Sequence, residues 1–156
     1  MDTIRDLTDA EMNDVLEHQL YGHLACILPD GRPYVVPVTF VHDDEYIYGF
    51  SSAGQKIDAL RQNPSVCFQT ELLINEGVWK SVIAWGAFEE LSGTNEIHAS
   101  MLIFSRLDRA QGMGISPLYQ PPAQQNAAGV ARPPSANAVF YRIRITEKTG
   151  RHVQYD

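Results

Sequence analysis

Short apolar runs of period two, separated by tight polar turns, fill most of the chain between residues 23 and 89, and this pattern limits the fold more than any other feature. Such runs predict β-strands. Their short connections predict antiparallel neighbours, because parallel strands need a crossover of a dozen or more residues. The clearest connection is Pro29-Asp30-Gly31-Arg32, in which Asp-Gly is a strong hairpin signal. Strands are predicted at residues 23–28, 34–41, 45–51, 65–73 and 78–89, with further turns at 42–44 and 75–77.

Helical patterns interrupt these strands in three places. Thr8 and Glu11 have the spacing of a capping box, which predicts a helix that begins there and ends near Tyr21-Gly22. A helix of about two turns is predicted at 54–61, and a longer one at 94–109. A sixth strand is predicted at 138–146, followed by a turn at Lys148-Thr149-Gly150.

Residues 112–137 are different in kind, with five prolines and no sustained periodicity. They predict a long loop. Loops of this length in compact domains usually cover a site, contact a partner subunit or are disordered. The sequence leaves these alternatives open.

The order of the elements predicts one domain over residues 1–156, with a mainly β (α+β) fold. Six antiparallel strands and two long helices, without regular βαβ alternation, favour a small closed barrel over a doubly wound parallel sheet. A chain of 156 residues is long enough to bury one well-packed core.

Composition narrows the range of partners. The net charge of −7 and the isoelectric point near 5.1 argue against nucleic acid, although a local basic group can still hold one small anion. The chain has no apolar run of about eighteen residues and no basic leader, so we expect a cytoplasmic protein without a membrane partner. No metal site is expected, because the histidines and cysteines lack metal-ligand spacing: His18, His23, Cys26, His42, Cys67, His98 and His152.

The strand-to-helix connection at residues 46–56 carries the strongest chemical signal. Ser51 and Ser52 lie at the end of the predicted strand, Gly54 allows a close backbone approach, and Lys56 lies in the first turn of the next helix. Hydroxyls, a cation and the first amides of a helix can together hold a phosphate. The same residues also fit an ordinary connection in which Ser52 caps the helix and Lys56 points into solvent. The segment alone does not decide between the two.

The flanking segments add weight when they are taken in order. They are 31–40 (GRPYVVPVTF), 60–68 (LRQNPSVCF), Trp79-Lys80-Ser81-Val82 and Gly86. Together with 46–56 they resemble the FMN-binding split-barrel family related to pyridoxamine 5'-phosphate oxidase, especially its small single-domain branch of nitroimidazole-resistance-like proteins. The resemblance covers about residues 7–90 and, weakly, 139–151, while the segment 112–137 has no counterpart in it.

The resemblance implies a six-stranded antiparallel split β-barrel with flanking helices, which forms a homodimer and binds FMN at the subunit interface. One strand would lie along the flavin ring and offer it backbone groups: Val36, Pro37, Val38 and Thr39. The phosphate would be held by Ser51, Ser52 and Lys56. A strand of the partner subunit would reach the cofactor with Trp79, Lys80 and Ser81. Without a cofactor, Val36 and Val38 would be core residues and Trp79 would be interface packing.

Two departures from the family pattern bear on the activity. Phe50 stands where the nitroimidazole-resistance branch usually has a histidine, which argues against nitroimidazole reduction. Arg151-His152 has the composition of the substrate motif of true pyridoxamine phosphate oxidases, but its setting and the short chain do not match that enzyme.

The resemblance therefore predicts an FMN-dependent oxidoreductase that passes electrons between a nicotinamide and a small-molecule acceptor. Its reactive atoms would be on the cofactor, so no catalytic side chain is assigned. The alternatives are a flavin carrier or sensor without turnover, a split barrel that uses haem or a deazaflavin, and a barrel whose site is lost.

Overall fold

A computed structural model describes residues 1–112 and 138–156. The predicted single domain and the predicted loop at 112–137 both include residues 113–137, which lie outside the described part. The helices are α1 (Asp9–His18), α2 (Gln55–Gln62) and α3 (Gly93–Gly112). The strands are β1 (Thr3–Asp6), β2 (Tyr21–Ile27), β3 (Pro33–Thr39), β4 (Val41–Asp43), β5 (Tyr46–Ser52), β6 (Ser65–Asn75), β7 (Val78–Glu90) and β8 (Ala138–Gln154).

All strands belong to one antiparallel sheet in the order β3-β2-β6-β7-β8-β5-β4, and β1 pairs with β8. The two ends of this order, β3 and β4, are separated in the chain by Phe40 alone. The sheet must therefore curl until its ends meet. Among the described strands no ladder joins β3 to β4 or β5, so the predicted closed barrel is wrong in this detail and the implied split barrel is confirmed.

All six predicted strands are present, and the eight-stranded sheet contains two short strands that the sequence did not reveal. β1 is too short and too exposed to show a periodic signal. β4 occupies part of the turn that was predicted at 42–44. The turn itself is tighter and centres on Asp44, which has a left-handed φ of 56°.

The predicted turn at Lys148-Thr149-Gly150 is wrong, because β8 continues through it and pairs with Val82–Ala84 of β7. A glycine is needed at position 150 because a side chain there would collide with the residues that pack on the strand. A Cβ at this position would lie 2.8 Å from Met12 Cγ and 2.9 Å from Leu7 Cδ1. The glycine therefore lets the start of α1 rest directly on the strand.

Two apolar clusters hold the sheet, one on each side of β5 and β8. The inner cluster lies inside the curl, where Leu16 of α1 and Leu60 of α2 pack against strand residues such as Phe68. The outer cluster lies on the other side of the sheet, where Ile103 of α3 packs with a group that includes Phe50 and Phe140. This double burial fixes the end of β5, where the predicted phosphate residues lie. None of the described helices is long and apolar enough to cross a membrane.

Candidate functional site

A cleft of about 300 Å³ lies where β5 ends and α2 begins, facing the end of β3. We call it the α2 cleft. Except for Phe50, every residue that lines it was predicted to bind the cofactor. Its lining residues are Pro37, Val38, Thr39, Phe50, Ser51, Ser52 and Lys56. The structure thus brings the predicted ring-binding strand and the predicted phosphate residues to one place.

The N-terminus of α2 is left without a side-chain cap. The helix begins after Gly54, and no side chain accepts a hydrogen bond from its first amides. Ile57 and Leu60 are fully buried and anchor the helix on the inner cluster. The alternative in which Ser52 caps the helix is therefore wrong. Free amides and the positive end of the helix dipole both favour an anion here.

Lys56 is half-buried beside these amides. Within residues 1–112 and 138–156, its ammonium makes no hydrogen bond or ion pair. Burial, which removes the ammonium from water, lowers the pKa of Lys56 below its ordinary value. The nearby Cys26 thiol is buried as well, and burial raises its pKa, so it offers little countercharge. A negative ligand would supply the missing partner.

Thr39 contributes a second polar group without a partner. Its side chain is buried, and its Oγ1 makes no hydrogen bond in the described structure. Buried hydroxyls in folded proteins are nearly always hydrogen-bonded. Thr39 and Lys56 both line the α2 cleft, and each therefore carries a polar group without a partner in the described structure.

β3 lies at the end of the sheet and pairs with β2 alone among the described strands. Its other edge leaves backbone groups free to meet a ligand, as the resemblance implied. Val38 is buried and lines the cleft, whereas Val36 is half-buried and packs against the inner cluster without lining it. The core interpretation therefore describes both side chains, because Val38 is itself a member of this core cluster.

Trp79, Lys80 and Ser81 lie elsewhere, on β7, where Trp79 and Ser81 face the outer side of the sheet and Lys80 the opposite side. Trp79 and Ser81 line a second cleft of about 650 Å³, which we call the outer cleft, and Lys80 does not line it. The Trp79 ring packs against Tyr155 with centroids 5.4 Å apart. A single chain therefore does not join these residues to the α2 cleft. Their role across a subunit interface stays a prediction.

A short polar chain in the outer cleft was missed by sequence analysis. His23 Nδ1 lies 3.2 Å from Gln69 Oε1, and Gln69 Nε2 donates a hydrogen bond to Glu71 Oε2. Glu71 lies directly opposite Ser81 in the ladder. The period of two along β6 placed Gln69 and Glu71 on one face, and only the β6–β7 register was needed to put them beside Ser81.

Phe50 occupies the place of the expected family histidine. Its ring packs against Phe140 and Phe104, with centroids 5.9 and 6.3 Å apart. This position therefore carries an aromatic ring of the outer cluster instead of a proton donor. In the described part of the chain, no three His, Cys, Asp or Glu side chains are grouped so that they could hold a metal ion.

Comparisons with known proteins agree with this arrangement. The sequence matches the family described as pyridoxamine 5'-phosphate oxidase over residues 8–152. An uncharacterised protein of Rhizobium meliloti (strain 1021) is 31% identical over 153 residues, which cover 95% of this chain and 94% of that protein.

Two solved structures extend the comparison. An FAD-binding protein from Mesorhizobium loti is 32% identical with a TM-score of 0.72, over 96% of this chain and 97% of that one. A protein from Bacteroides thetaiotaomicron VPI-5482, named for 5-nitroimidazole antibiotic resistance, shares the fold at 16% identity with a TM-score of 0.70, over 98% and 89% of the two chains. Because the family pattern spans nearly the whole sequence, the chain belongs to the pyridoxamine 5'-phosphate oxidase family.

Proposed function

We propose that this protein binds FMN in the α2 cleft and uses it as an oxidoreductase. The observation that carries this proposal is the unpaired Lys56 ammonium beside the uncapped N-terminus of α2. Family membership supports a flavin, and so does the FAD-binding relative from Mesorhizobium loti.

The residues of the cleft fit a flavin mononucleotide in two parts. Lys56, the first amides of α2 and the hydroxyls of Ser51 and Ser52 would hold the phosphate, because they supply a cation and several donors. The free edge of β3 would meet the flat ring, with Val38 as an apolar contact. A single pocket thus offers separate places for the charged and the planar part.

Exposed apolar side chains support a homodimer through the outer face of the sheet. Leu73 lies opposite Trp79, and Cys67 opposite Trp85, so one face of β6 and β7 carries them all. Leu73 is 69% and Trp85 38% exposed in the single chain. A symmetric dimer would bury this face and bring Trp79 and Ser81 of one subunit to the flavin of the other.

The proposed reaction passes electrons from a nicotinamide to a small-molecule acceptor. Bound FMN supplies hydride and electron transfer, while the protein binds and orients it and excludes water. Phe50 leaves the end of β5 without a titratable group, so no proton transfer is assigned to that position. The two free cysteines, Cys26 and Cys67, support a reducing cytoplasmic location, where nicotinamides are available.

The first test is the visible absorption spectrum of the purified protein, before and after excess FMN and desalting. We expect flavin bands that remain in proportion to protein. Loss of all flavin would contradict the proposal, and a haem or deazaflavin spectrum would replace FMN by that cofactor. Anaerobic NADH or NADPH should then bleach the bands, whereas a stable oxidised spectrum would indicate a carrier or sensor.

The composite site is tested by mixing two inactive variants. Lys56→Ala and Trp79→Ala each damage a different half of the proposed site. When the variants are unfolded and refolded together, half of the dimers should be mixed, and each mixed dimer should hold one intact site. We expect about a quarter of wild-type flavin binding to return. No recovery would contradict the proposal that Trp79 of one subunit completes the flavin site of the other.

A further inference from the structure

Three polar side chains in a row fix the orientation of the His23 ring. Gln69 Nε2 donates a hydrogen bond to Glu71 Oε2, and an ionised carboxylate only accepts. The amide therefore turns its other end, Oε1, towards His23 Nδ1 at 3.2 Å. Because Oε1 is also only an acceptor, the proton of the neutral imidazole is on Nδ1. The second ring nitrogen, Nε2, is thus the one that takes up and releases a proton.

The direction of Nε2 follows from the order of the strands. β2, which carries His23, lies between β6 and β3 in the sheet. The two nitrogens of an imidazole point away from each other. A ring whose Nδ1 faces Gln69 on β6 therefore turns Nε2 away from β6, towards β3 and solvent. His23 is exposed, and its Nε2 has no partner among residues 1–112 and 138–156, so this nitrogen is free to meet a ligand.

The same side of His23 borders the α2 cleft. His23 pairs directly with Pro37 in the β2–β3 ladder, and such partners project from the same face of a sheet. Pro37 lines the α2 cleft, so His23 lies at the rim of that cleft. Of the described residues that line the cleft itself, Lys56 alone carries an acid or base, and it is assigned to the phosphate. A proton for a reaction at the flavin ring must therefore come from the rim.

We propose that His23 is a catalytic acid of the flavin site, which donates a proton from Nε2 to the electron acceptor. This inference rests on the proposed function and names the class of acceptor: compounds that gain protons together with electrons, such as quinones. Full reduction of a quinone adds one hydride, which bound FMN supplies, and one proton, which His23 supplies. The neutral imidazole then regains its proton from water. Gln69 is a positioning residue that acts through the His23 ring.

The experiment compares an acceptor that needs protons with one that does not. The FMN-loaded protein is photoreduced without oxygen and mixed with duroquinone, or with ferricyanide, which takes up electrons alone. His23→Asn should slow the duroquinone reaction about 100-fold, because general acid catalysis contributes about 10²- to 10⁴-fold. The ferricyanide reaction should keep its rate. Heavy water should slow the duroquinone reaction of the wild type and not that of His23→Asn.

The orientation of the ring is tested without any flavin. Nitrogen-15 chemical shifts of His23 show which nitrogen carries the proton of the neutral ring. We expect Nδ1 in the flavin-free wild type. In Gln69→Leu the proton should move towards Nε2, because the acceptor for the Nδ1 proton has been removed. The duroquinone reaction of this variant should slow by a smaller factor than that of His23→Asn. A wild-type ring that carries its proton on Nε2 would contradict the proposal.

His18→Asn is the matched control, because His18 is an exposed histidine of α1 that contacts Asp14 and lines neither cleft. It should react like the wild type with both acceptors, and FMN affinity should be equal in all these proteins. Two results would overturn the inference about His23. One is an unchanged duroquinone rate in His23→Asn, and the other is an equal loss with both acceptors. Failure of the proposed function gives a different result, because the wild type itself would then bind no flavin.

Discussion

Side chains cap the N-terminus of α1, whereas the N-terminus of α2 has no side-chain cap. At α1, Thr8 Oγ1 accepts a hydrogen bond from the N–H of Glu11 at 3.2 Å, and Glu11 Oε2 accepts one from the N–H of Thr8 at 2.9 Å. Arg5 closes this cap with a two-pronged ion pair to Glu11. At α2, Gly54 offers no cap, and Lys56 has no partner in the described structure.

This contrast separates polar groups that stabilise the fold from polar groups that are left for a ligand. Lys148 is a largely buried cation at the first turn of α1, and it is held by Asp9 at 2.9 Å and by Asn13. Lys56 is a comparable half-buried cation that has no carboxylate partner among residues 1–112 and 138–156. A helix end that folds well without its cap can use its donors for binding.

The largest expected effect comes from Lys56→Ala. Removal of the cation should weaken FMN about 100-fold, since a hydrogen bond to a charged group contributes about 1.5–3 kcal/mol. Isothermal titration calorimetry measures the change. Lys148→Ala is the matched control at α1, and its FMN affinity should equal that of the wild type. Equal affinities for both variants would remove the distinction between the two helix ends.

Gly54→Asp makes the start of α2 resemble that of α1. Gly54 has a φ of 167°, which is extended backbone that any residue adopts. A Cβ at this position meets no protein atom within 4 Å, so an aspartate fits there and can cap the helix. Its charge should repel the phosphate and weaken FMN about tenfold, a penalty of about 1.4 kcal/mol. The flavin-free protein should melt no lower than the wild type. Gly54→Ala is the uncharged control, and a tenfold loss there would indicate a steric effect instead.

Thr8→Ala removes the cap at α1 and should affect stability alone. The loss of an N-cap hydroxyl costs about 1 kcal/mol in free energy of unfolding. Urea denaturation followed by circular dichroism measures it. FMN affinity should stay unchanged, and a clear loss of affinity would show that α1 is coupled to the flavin site.

The smallest effect concerns the pH dependence of the same cap. The hydrogen bonds from Arg5 and from the Thr8 backbone lower the pKa of Glu11 from 4.5 to about 2. Because the folded pKa lies below the unfolded one, this contribution is complete above pH 4.5 and is lost as the pH falls towards 2. Glu11→Gln should therefore lose less stability than the wild type across this range in urea titrations. An identical pH profile would mean that solvent screens the ion pair completely.

Local signals in the sequence predicted the fold where short-range chemistry decides it. The capping box at Thr8, the Asp-Gly hairpin and the six main strands were all confirmed. The turn at Lys148-Thr149-Gly150 failed, because the partner strand β7 extends the ladder past a local turn signal. The reason for Gly150 is its contact with Leu7 and Met12, which are distant in sequence. Such packing requirements cannot be recognised from the local pattern.

The candidate site was predicted to a similar degree. Ser51, Ser52 and Lys56 are neighbours in sequence, and the curl of the sheet brings Thr39 to them as expected. The place of Trp79 and Ser81 depends on a second subunit, about which a single chain carries no geometric information. The missing partner of the Thr39 hydroxyl is also a property of three-dimensional packing. It became visible only when every neighbouring donor and acceptor had a position.

The free edge of β3 also affects the tendency of the ligand-free protein to aggregate. An open strand edge can recruit strands of other molecules and seed aggregation. Pro33 and Pro37 both lie on this edge strand, and neither has an N–H to offer to an incoming strand. Intermolecular ladders would therefore be interrupted at two positions. The same strand can stay accessible to a flat small molecule while it resists amyloid-like growth.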